Sequence, residues 1–242
     1  MALNKQTVNE SVKKKHLSRI YRKKSPIIIN LKAEQQQIHE SSQIKYLGVI
    51  LDNKLSWDFH LKYIQKKVAS GSWALLKLRN YVGVETLKRV YFGLVHQYLQ
   101  YCVSCWGGVY ESKLKRLKVL QNRCLRNITF SDYRTSATPL FKNLGILKIN
   151  NLYELQIAKI MNGLQHGTWL GQYQLTKINN IHQYNTRLSE NNYFTPNFST
   201  NLTKNALFIK GPIIWKKVPK EMKLLQPALF KSKYKHHLLH QY

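Results

Sequence analysis

The chain has 242 residues and a hydrophobic fraction of 43%, which is enough to bury a core in one large or two small domains and excludes wholesale disorder. It carries 39 lysines and arginines against 11 aspartates and glutamates, for a formal net charge of +28. Because the cations are spread through almost every predicted helix, we expect an anionic partner. A nucleic-acid backbone is favoured over a membrane surface.

The sequence contains neither a membrane-spanning segment nor a secretion signal that we can recognise. No stretch is long and apolar enough to cross a bilayer, and the polar start MALNK lacks the apolar centre of a signal peptide. We therefore expect an intracellular protein, nuclear or cytoplasmic, without a membrane partner.

The cysteines do not predict a disulfide framework or a zinc site. They are three in number, Cys102, Cys105 and Cys124, and the Cys102–Cys105 pair has no second pair of ligands at zinc-like spacing. We expect them to be core residues.

The N-terminal part of the chain predicts a basic arm and a short hairpin. Residues 1–25 are basic and uneven in pattern, which is typical of a solvated arm, of phosphate contacts, or of both. Residues 26–31 have the composition of a strand, and residues 32–42 that of a polar connection. Residues 45–51 then predict the antiparallel partner strand, in which Gly48 marks a bulge or a close backbone approach.

Two amphipathic helices follow the predicted hairpin. The first covers residues 57–80, with Ser56 as its expected N-cap and Asp58 in its first turn, where the helix dipole favours a carboxylate. The second covers residues 84–99 and has a wide apolar stripe that predicts deep burial. Its region is rich in aromatic residues that could stack on bases, although their helical spacing is more typical of a core; they are Tyr91, Phe92, Tyr98 and Tyr101.

A third helix, residues 112–128, is the strongest candidate for contact with nucleic acid. Its apolar residues lie on one face, and cations cover the remainder, while Glu111 is the acidic residue near its start. Such a helix repels itself unless a polyanion lies beside it. We predict that it binds nucleic acid through Lys113, Arg116, Arg123 and Arg126. A merely solvated face is the alternative, although such faces usually mix the signs of their charges.

The remaining chain predicts helices followed by a loop-rich region. Residues 138–145 and 149–163 have helical patterns, and residues 169–205 are rich in Asn, Thr, Gln and Tyr, which predicts loops and short extended pieces. The elements expected after them are a strand at residues 206–209, a turn at Gly211-Pro212, and short helices opened by Pro219 and Pro227.

Together these elements predict an α+β chain that is predominantly α. We divide it into residues 1–55, with the arm and the hairpin, residues 56–168, a helical bundle, and residues 169–242, a loop-rich region with short terminal helices.

Several motifs resemble those of one family. Residues 44–57, IKYLGVILDNKLSW, resemble the motif near the end of the palm in non-LTR (LINE-type, jockey-like) retrotransposon reverse transcriptases. Residues 120–126, LQNRCLR, are similar to the thumb helix of that family. Further motifs recur in the same order in its C-terminal region; they are residues 182–187 (HQYNTR), Pro196, residues 210–215 (KGPIIW), 218–223 (VPKEMK) and 230–231 (FK). Residues 1–25 match poorly, and Val218-Pro219 departs from the usual Leu-Pro.

The resemblance implies that the hairpin is a palm remnant, that the bundle is thumb-like, and that Lys45, Tyr46 and Gly48 help to grip a primer end. It implies RNA, DNA or an RNA–DNA hybrid as partner, together with the polymerase domains that lie upstream in the family. We therefore expect a nucleic-acid-binding fragment of an RNA-directed DNA polymerase.

The catalytic carboxylates of that family have no counterpart that we can find in this chain. The family holds Mg²⁺ through an upstream strand and a Tyr-x-Asp-Asp turn, whereas the aspartates here are Asp52, Asp58 and Asp132, none of them adjacent. We expect no catalytic, cofactor-binding or metal-binding residue in this chain, and Mg²⁺ is implied for the complete family enzyme alone. Two alternatives stay open: a degenerate retroelement relic without activity, and a basic RNA-binding or packaging protein unrelated to polymerases.

Overall fold

The computed structural model describes residues 31–33, 36–38, 41–168, 175–178, 192–197 and 201–242, with residues 31–33, 36–38 and 201–202 described by their backbone alone. The chain divides into two compact units, residues 1–42 and 43–242. The predicted arm at residues 1–25 and nearly all of the predicted strand at 26–31 lie outside the described residues. The described chain is mostly helical with short antiparallel strand pairs, which confirms the predicted α+β class.

The first unit contains a strand pair where the sequence predicted a polar connection. Strand β1, Leu31–Ala33, pairs antiparallel with β2, Gln36–Ile38, with Leu31 opposite Ile38. The prediction for residues 32–42 is therefore wrong at five positions, 32, 33 and 36–38. A polar composition does not prevent pairing, because an antiparallel ladder is held by backbone hydrogen bonds and needs only a short connection.

The second unit begins with a β-hairpin whose two strands pair with each other. Strand β3, Gln43–Tyr46, pairs antiparallel with β4, Val49–Asp52, and Tyr46 is opposite Val49. The two linking residues, Leu47 and Gly48, have positive φ angles of 44° and 81°, as a type I′ turn requires. An antiparallel hairpin is therefore present, but residues 45–51 belong to two strands around the Leu47-Gly48 turn rather than to the one strand predicted. Nearly all of the strand predicted as their partner lies outside the described residues.

The junction between hairpin and helix is organised by Asp52. Its carboxylate accepts hydrogen bonds from the backbone N–H groups of Lys54, Ser56 and Trp57, at 3.1, 2.9 and 2.9 Å. Partial burial alone would raise the pKa of Asp52, but these bonds outweigh it and the pKa is lowered. The next helix begins after Trp57, so the prediction that Ser56 is its N-cap residue is wrong.

The helices up to residue 128 form the first part of the bundle. They are α1 (Asp58–Leu78), α2 (Val84–Tyr91), a π-helical turn (Phe92–His96), α3 (Gln97–Gln100), α4 (Val103–Trp106) and α5 (Glu111–Ile128). The long helices predicted at 57–80 and 112–128 are confirmed as α1 and α5, and Asp58 does lie in the first turn of α1. The helix predicted at 84–99 is continuous but contains the π-helical turn.

Helices α1 and α5 pack side by side in the same direction. The Lys113 ammonium lies 2.8 Å from the Asp58 carboxylate at the beginning of both helices. Near their ends, the Asn127 side-chain amide donates to the Ser72 carbonyl at 3.0 Å, and these residues are 55 apart in sequence, as Asp58 and Lys113 are. The constant separation means that the two helices advance together, residue for residue.

The later helices complete the same core. They are α6 (Ala137–Leu144), α7 (Ile149–Gln165), α8 (Asn201–Lys204), α9 (Leu207–Lys217), α10 (Lys220–Lys223) and α11 (Pro227–His240). The core contains large aromatic side chains, including Trp106, Trp215 and Phe230. At its polar centre, the Gln121 amide donates to the Tyr91 hydroxyl and the Leu147 carbonyl, and its oxygen accepts from the Ile149 N–H.

Helix α9 overturns two predictions in the C-terminal region. Residues 206–209 were expected to form a strand and Gly211-Pro212 a turn, but Ala206 is the N-cap residue of α9, and the helix includes residues 207–209 and Gly211-Pro212. The helix persists through Pro212 because it buries one face on α7, where a Cβ atom at Gly211 would lie 2.6 Å from the Met161 sulfur. Pro219 and Pro227 do open α10 and α11, as predicted.

Two predictions about individual core residues are wrong. Cys124 is buried as expected, but Cys105 is exposed at the end of the bundle. Among the aromatic residues of the second predicted helix, Tyr91 is fully buried, whereas Phe92 and Tyr101 are exposed. Between residues 169 and 200 the structure describes 175–178 and 192–197, where Lys177 and Tyr193 form an isolated antiparallel bridge.

Candidate nucleic-acid interface

The four α5 cations predicted to bind nucleic acid have different surroundings. Lys113 binds the Asp58 carboxylate and also donates to the Ser56 carbonyl, both at 2.8 Å, so it joins the beginnings of α1 and α5. The hydrogen bond from Lys113 is the largest of the causes that lower the pKa of Asp58. Lys113 is therefore committed to a contact within the protein.

The other three cations face solvent on two sides of α5. The Arg126 Nε donates to the Thr135 carbonyl at 2.8 Å, which directs this side chain toward the segment before α6. Arg116 and Arg123 are exposed and seven residues apart, so they lie on one side of the helix, two turns from each other. The structure thus brings Arg116 and Arg123 together and separates Lys113 and Arg126 from them.

Helix α1 carries a second row of residues that we did not predict as a site. Phe59 and Trp73, with exposed fractions of 45% and 61%, lie on its solvent side together with three exposed lysines. Lys62 lies 5.9 Å from the centre of the Phe59 ring, and Lys77 lies 5.6 Å from that of Trp73. The signal was present in the sequence, because the whole row recurs at helical spacing opposite the apolar stripe; it consists of Phe59, Lys62, Lys66, Trp73 and Lys77.

The two rows form one surface, which we call the α1–α5 face: the five α1 residues just named together with Arg116 and Arg123. The parallel packing puts Arg116 at the level of Leu61 and Arg123 at the level of Val68. Helices α1 and α5 together contain ten lysines and arginines and two carboxylates. Both carboxylates are already paired, Asp58 with Lys113 and Glu111 with Lys118, and Lys62 is the residue of this face whose charge acts on Asp58, as a minor cause of its lowered pKa.

The predicted hairpin residues Lys45, Tyr46 and Gly48 are all exposed. The Tyr101 hydroxyl donates to the Leu47 carbonyl at 2.5 Å and ties the hairpin turn to the residue after α3. Lys45 extends back over the bundle, with its ammonium 5.9 Å from the centre of the Tyr63 ring. The hairpin is therefore fixed against the bundle with its tip accessible.

Between the hairpin and the bundle lies a cleft of about 250 Å³, lined chiefly by aromatic residues. Lys67 lies 5.8 Å from the Tyr63 ring centre and 6.0 Å from that of Tyr98, at the edge of this cleft. At its base, burial lowers the pKa of His60, so this imidazole is neutral at pH 7. The lining residues are Gly48, His60, Tyr63, Ile64, Gln97, Tyr98 and Tyr101. The surface of this cleft is therefore mainly apolar and aromatic, with one lysine beside it.

The three aspartates have structural roles and do not converge. Asp52 caps the hairpin junction, Asp58 binds Lys113, and the Asp132 carboxylate accepts from the Arg134 N–H at 2.8 Å. No group of three or more His, Cys, Asp or Glu residues is close enough to hold a metal within the described ranges. These residues do not fit the two-Mg²⁺ site of a polymerase, and the expected absence of catalytic residues remains a prediction.

Comparison with known proteins finds similarity to the same family of enzymes as the sequence motifs do. The "Probable RNA-directed DNA polymerase from transposon BS" of Drosophila melanogaster is 32% identical over 125 residues, which is 50% of this chain and 14% of that protein. The corresponding protein of transposon X-element is 28% identical over 120 residues, and that of mobile element jockey is 28% identical over 131 residues, both also from Drosophila melanogaster. The chain resembles non-LTR retrotransposon RNA-directed DNA polymerases.

The predicted resemblance to the non-LTR retrotransposon enzymes is thus confirmed at modest identity over about half of the chain. The match spans 13% to 14% of the length of these polymerases. No family model and no solved structure matches the chain. In the part of the chain that is described, no helix has the length and apolar character required to cross a membrane.

Proposed function

We propose that this chain is a nucleic-acid-binding part of a non-LTR retrotransposon reverse transcriptase and that it binds RNA, DNA or an RNA–DNA hybrid through the α1–α5 face. The observation that carries the proposal is the composition of this face, where exposed aromatic residues alternate with cations and both nearby carboxylates are already paired. The similarity to RNA-directed DNA polymerases supports the same class of partner.

The two kinds of side chain on the face would contact different parts of a nucleic acid. Lys62, Lys66, Arg116 and Arg123 would neutralise phosphates, which contributes affinity without reading sequence. Trp73 and Phe59 present flat rings on which unpaired bases can stack, at about 1–3 kcal/mol per base. The hairpin, with Tyr46 and Gly48 at its tip and Lys45 directed back over the bundle, would contact the same strand.

The test compares matched removals of charge. We expect the double variant Arg116→Gln and Arg123→Gln to bind a labelled hybrid duplex more weakly than the double variant Lys13→Gln and Lys14→Gln, measured by fluorescence anisotropy at one salt concentration. The helix holds its cations in a fixed array, whereas on an arm of the kind predicted for residues 1–25 the ordering of each long side chain would cost about 0.5–1.5 kcal/mol.

The double variant Asp58→Asn and Lys113→Gln serves as an internal control for this experiment. Because it removes an ion pair without changing the net charge, it should lower affinity less than Arg116→Gln does. Equal losses for the arm variant and the helix variant, with both folded by circular dichroism, would contradict the role of α5.

We further propose that the chain does not polymerise DNA by itself, because its three aspartates are apart and structurally engaged. Primer extension on an RNA template with Mg²⁺ tests this. Incorporation of dNTPs above that of a mock preparation would refute it.

A further inference from the structure

A cavity of about 460 Å³ lies between α5, α6 and α7, on the opposite side of α5 from the region where α1 packs. None of its lining residues is acidic, three are basic, and most of the others carry amide or hydroxyl groups. The lining residues that matter here are Lys118, Asn122, Arg126, Thr138, Lys148 and Asn151. We call this the α5–α6–α7 cavity.

The three cations differ in how far they are neutralised. Lys118 forms an ion pair with Glu111. The Lys148 ammonium lies 3.2 Å from the Thr138 hydroxyl and 4.3 Å from the centre of the Tyr242 ring, and Arg126 contributes its Nε to a backbone carbonyl. Within the described ranges, neither Lys148 nor Arg126 forms an ion pair with a carboxylate. Two positive charges therefore remain uncompensated at this cavity.

Two helices also begin at the cavity. Helix α6 starts at Ala137 and α7 at Ile149, and the first residues of both line its wall. At the start of α7 the Lys148 N–H donates to the Tyr242 hydroxyl, and the Ile149 N–H to Gln121. The following N–H groups of the first turn have no acceptor within their own helix, and the helix dipoles add partial positive charge.

The cations stand close enough to oppose one another. The pKa of Lys118 is lowered first by its partial burial and then by the charge of Lys148, while burial lowers the pKa of Lys148 as well. Holding two ammonium groups together around a cavity costs free energy in the empty protein. An anion between them would remove that cost and gain hydrogen bonds to charged donors, which are stronger than neutral ones.

We propose that the α5–α6–α7 cavity binds the dianionic phosphate of a phosphate monoester. Its two uncompensated cations match a terminal phosphate, which carries a charge of about −1.5 to −2 at pH 7, better than they match an internal phosphodiester with one negative charge. The donors come from α5, from the first turn of α6 and from the start of α7, and they line the same cavity. The site uses a different side of α5 from Arg116 and Arg123, so it does not depend on the function proposed for the α1–α5 face.

Thermal unfolding with added inorganic phosphate tests the site, with chloride at equal ionic strength as reference. A ligand that binds the folded state alone raises Tm as its concentration rises. We expect a phosphate-dependent rise in Tm for the native chain and for the control Lys216→Gln, which removes one exposed charge from α9, outside both the cavity and the α1–α5 face. In Lys148→Gln, loss of a charged donor should weaken phosphate binding roughly tenfold or more.

Asn122→Asp provides a second variant that keeps the shape of the side chain and adds a negative charge at the cavity wall. It should abolish the response to phosphate even if Lys148→Gln proves poorly folded. Since phosphate also stabilises proteins by exclusion from their surfaces, an equal rise in Tm in all four proteins would overturn the proposal. So would the absence of any rise above chloride in the native chain.

A second measurement identifies the source of the phosphate. Short oligonucleotides of one sequence, with a 5′-phosphate or a 5′-hydroxyl, are compared by anisotropy for the native chain and Lys148→Gln. Tighter binding of the phosphorylated strand, lost in Lys148→Gln, assigns the cavity to a strand end. Equal binding of both strands, together with the phosphate-dependent rise in Tm, assigns it to a free monoester such as a nucleotide. Failure of the α1–α5 face variants to change affinity would leave the Tm result untouched, so the two proposals are tested separately.

Discussion

Gly71 lies in the middle of α1, at the point where this helix passes the π-helical turn. A Cβ atom there would lie 2.6 Å from the Val95 Cγ2 and 3.1 Å from the Leu94 carbonyl oxygen. Gly71→Ala should therefore destabilise the protein by about 1–3 kcal/mol through overpacking. Gly93→Ala is the matched control, because Gly93 has no neighbour within 4 Å of its Cβ position.

Alanine at Gly93 should instead stabilise the helix slightly, by about 0.5–1 kcal/mol, because it restricts the unfolded chain. Urea denaturation of both variants measures the two free energies of unfolding. The same sign for both variants would contradict the close approach at Gly71.

His96 should make the folding stability of the protein depend on pH. Burial is the largest cause that lowers the pKa of His96 to about 4, with a smaller contribution from the charge of Lys235 and an opposing hydrogen bond with Gln100. The unfolded residue has a pKa near 6.5, so between about pH 6.5 and 4 the unfolded chain binds a proton that the folded chain does not. Stability should fall as the pH falls through this window.

Asp52 and Asp58 affect the stability of the protein at a lower pH than His96 does. The pKa values of Asp52 and Asp58 are lowered from 3.8, so their stabilisation is lost as the pH falls further. The variant His96→Phe retains a ring against Phe92, whose centre is 4.9 Å from that of His96, and it cannot titrate. Its Tm should vary less than that of the native chain between pH 6.5 and 4.5; an unchanged slope would show that other groups cause the response.

At the scale of the elements, the sequence predicted the long helices well and the strand pairing poorly. Apolar residues at helical spacing predicted α1, α5 and α7 nearly to their ends, because such helices bury one face each and the pattern is local. A hairpin was expected here, but its turn at Leu47 and Gly48 was not predicted from the residue pattern, because Leu47 has a positive φ angle that is uncommon for leucine. The β3–β4 hairpin is stabilised by a hydrogen bond from Tyr101, which is 54 residues away in the chain.

The same contrast holds for the candidate site. The number of cations on α5 was enough to choose this helix as the candidate for nucleic-acid contact. It could not show that Lys113 pairs with Asp58 or that Arg126 turns toward α6. Those outcomes depend on which helix packs beside α5, which is a tertiary property. The α1 row could have been found from sequence alone, since Phe59 and Trp73 lie opposite the apolar stripe of their own helix.

The exposed ring of Trp73 provides a prediction for α1 as an element. Trp73→Ala should weaken binding of single-stranded oligonucleotides by about 1–3 kcal/mol, the value of one stacked base, and should change stability little because the ring is 61% exposed. Phe208→Ala on α9 removes another exposed ring and serves as the control. Equal affinity of the two variants, measured by anisotropy, would exclude stacking on Trp73.

At the scale of the whole molecule, the net charge of +28 makes salt act in two opposite directions. Added NaCl screens the repulsion among the cations and should raise Tm. The same salt competes with phosphate contacts, so affinity for nucleic acid should fall steeply between about 50 and 200 mM, with little dependence on base sequence. Titrations of Tm and of affinity over one salt series measure both effects, and affinity independent of salt would contradict binding through phosphates.

The parallel arrangement of α1 and α5 gives the molecule a polarity along its basic face. Both helices begin at the same end, and Asp58 and Glu111, the carboxylates of these two helices, lie in their first turns at that end. Beyond the first turn each helix carries cations without acidic residues, up to Lys77 and Arg126 in their last turns. The acidic residues of both helices are therefore confined to one end of the face. Under the function proposed above, the two directions in which a strand could lie along the face are not equivalent, because one end has the two paired carboxylates of these helices and the other end has neither.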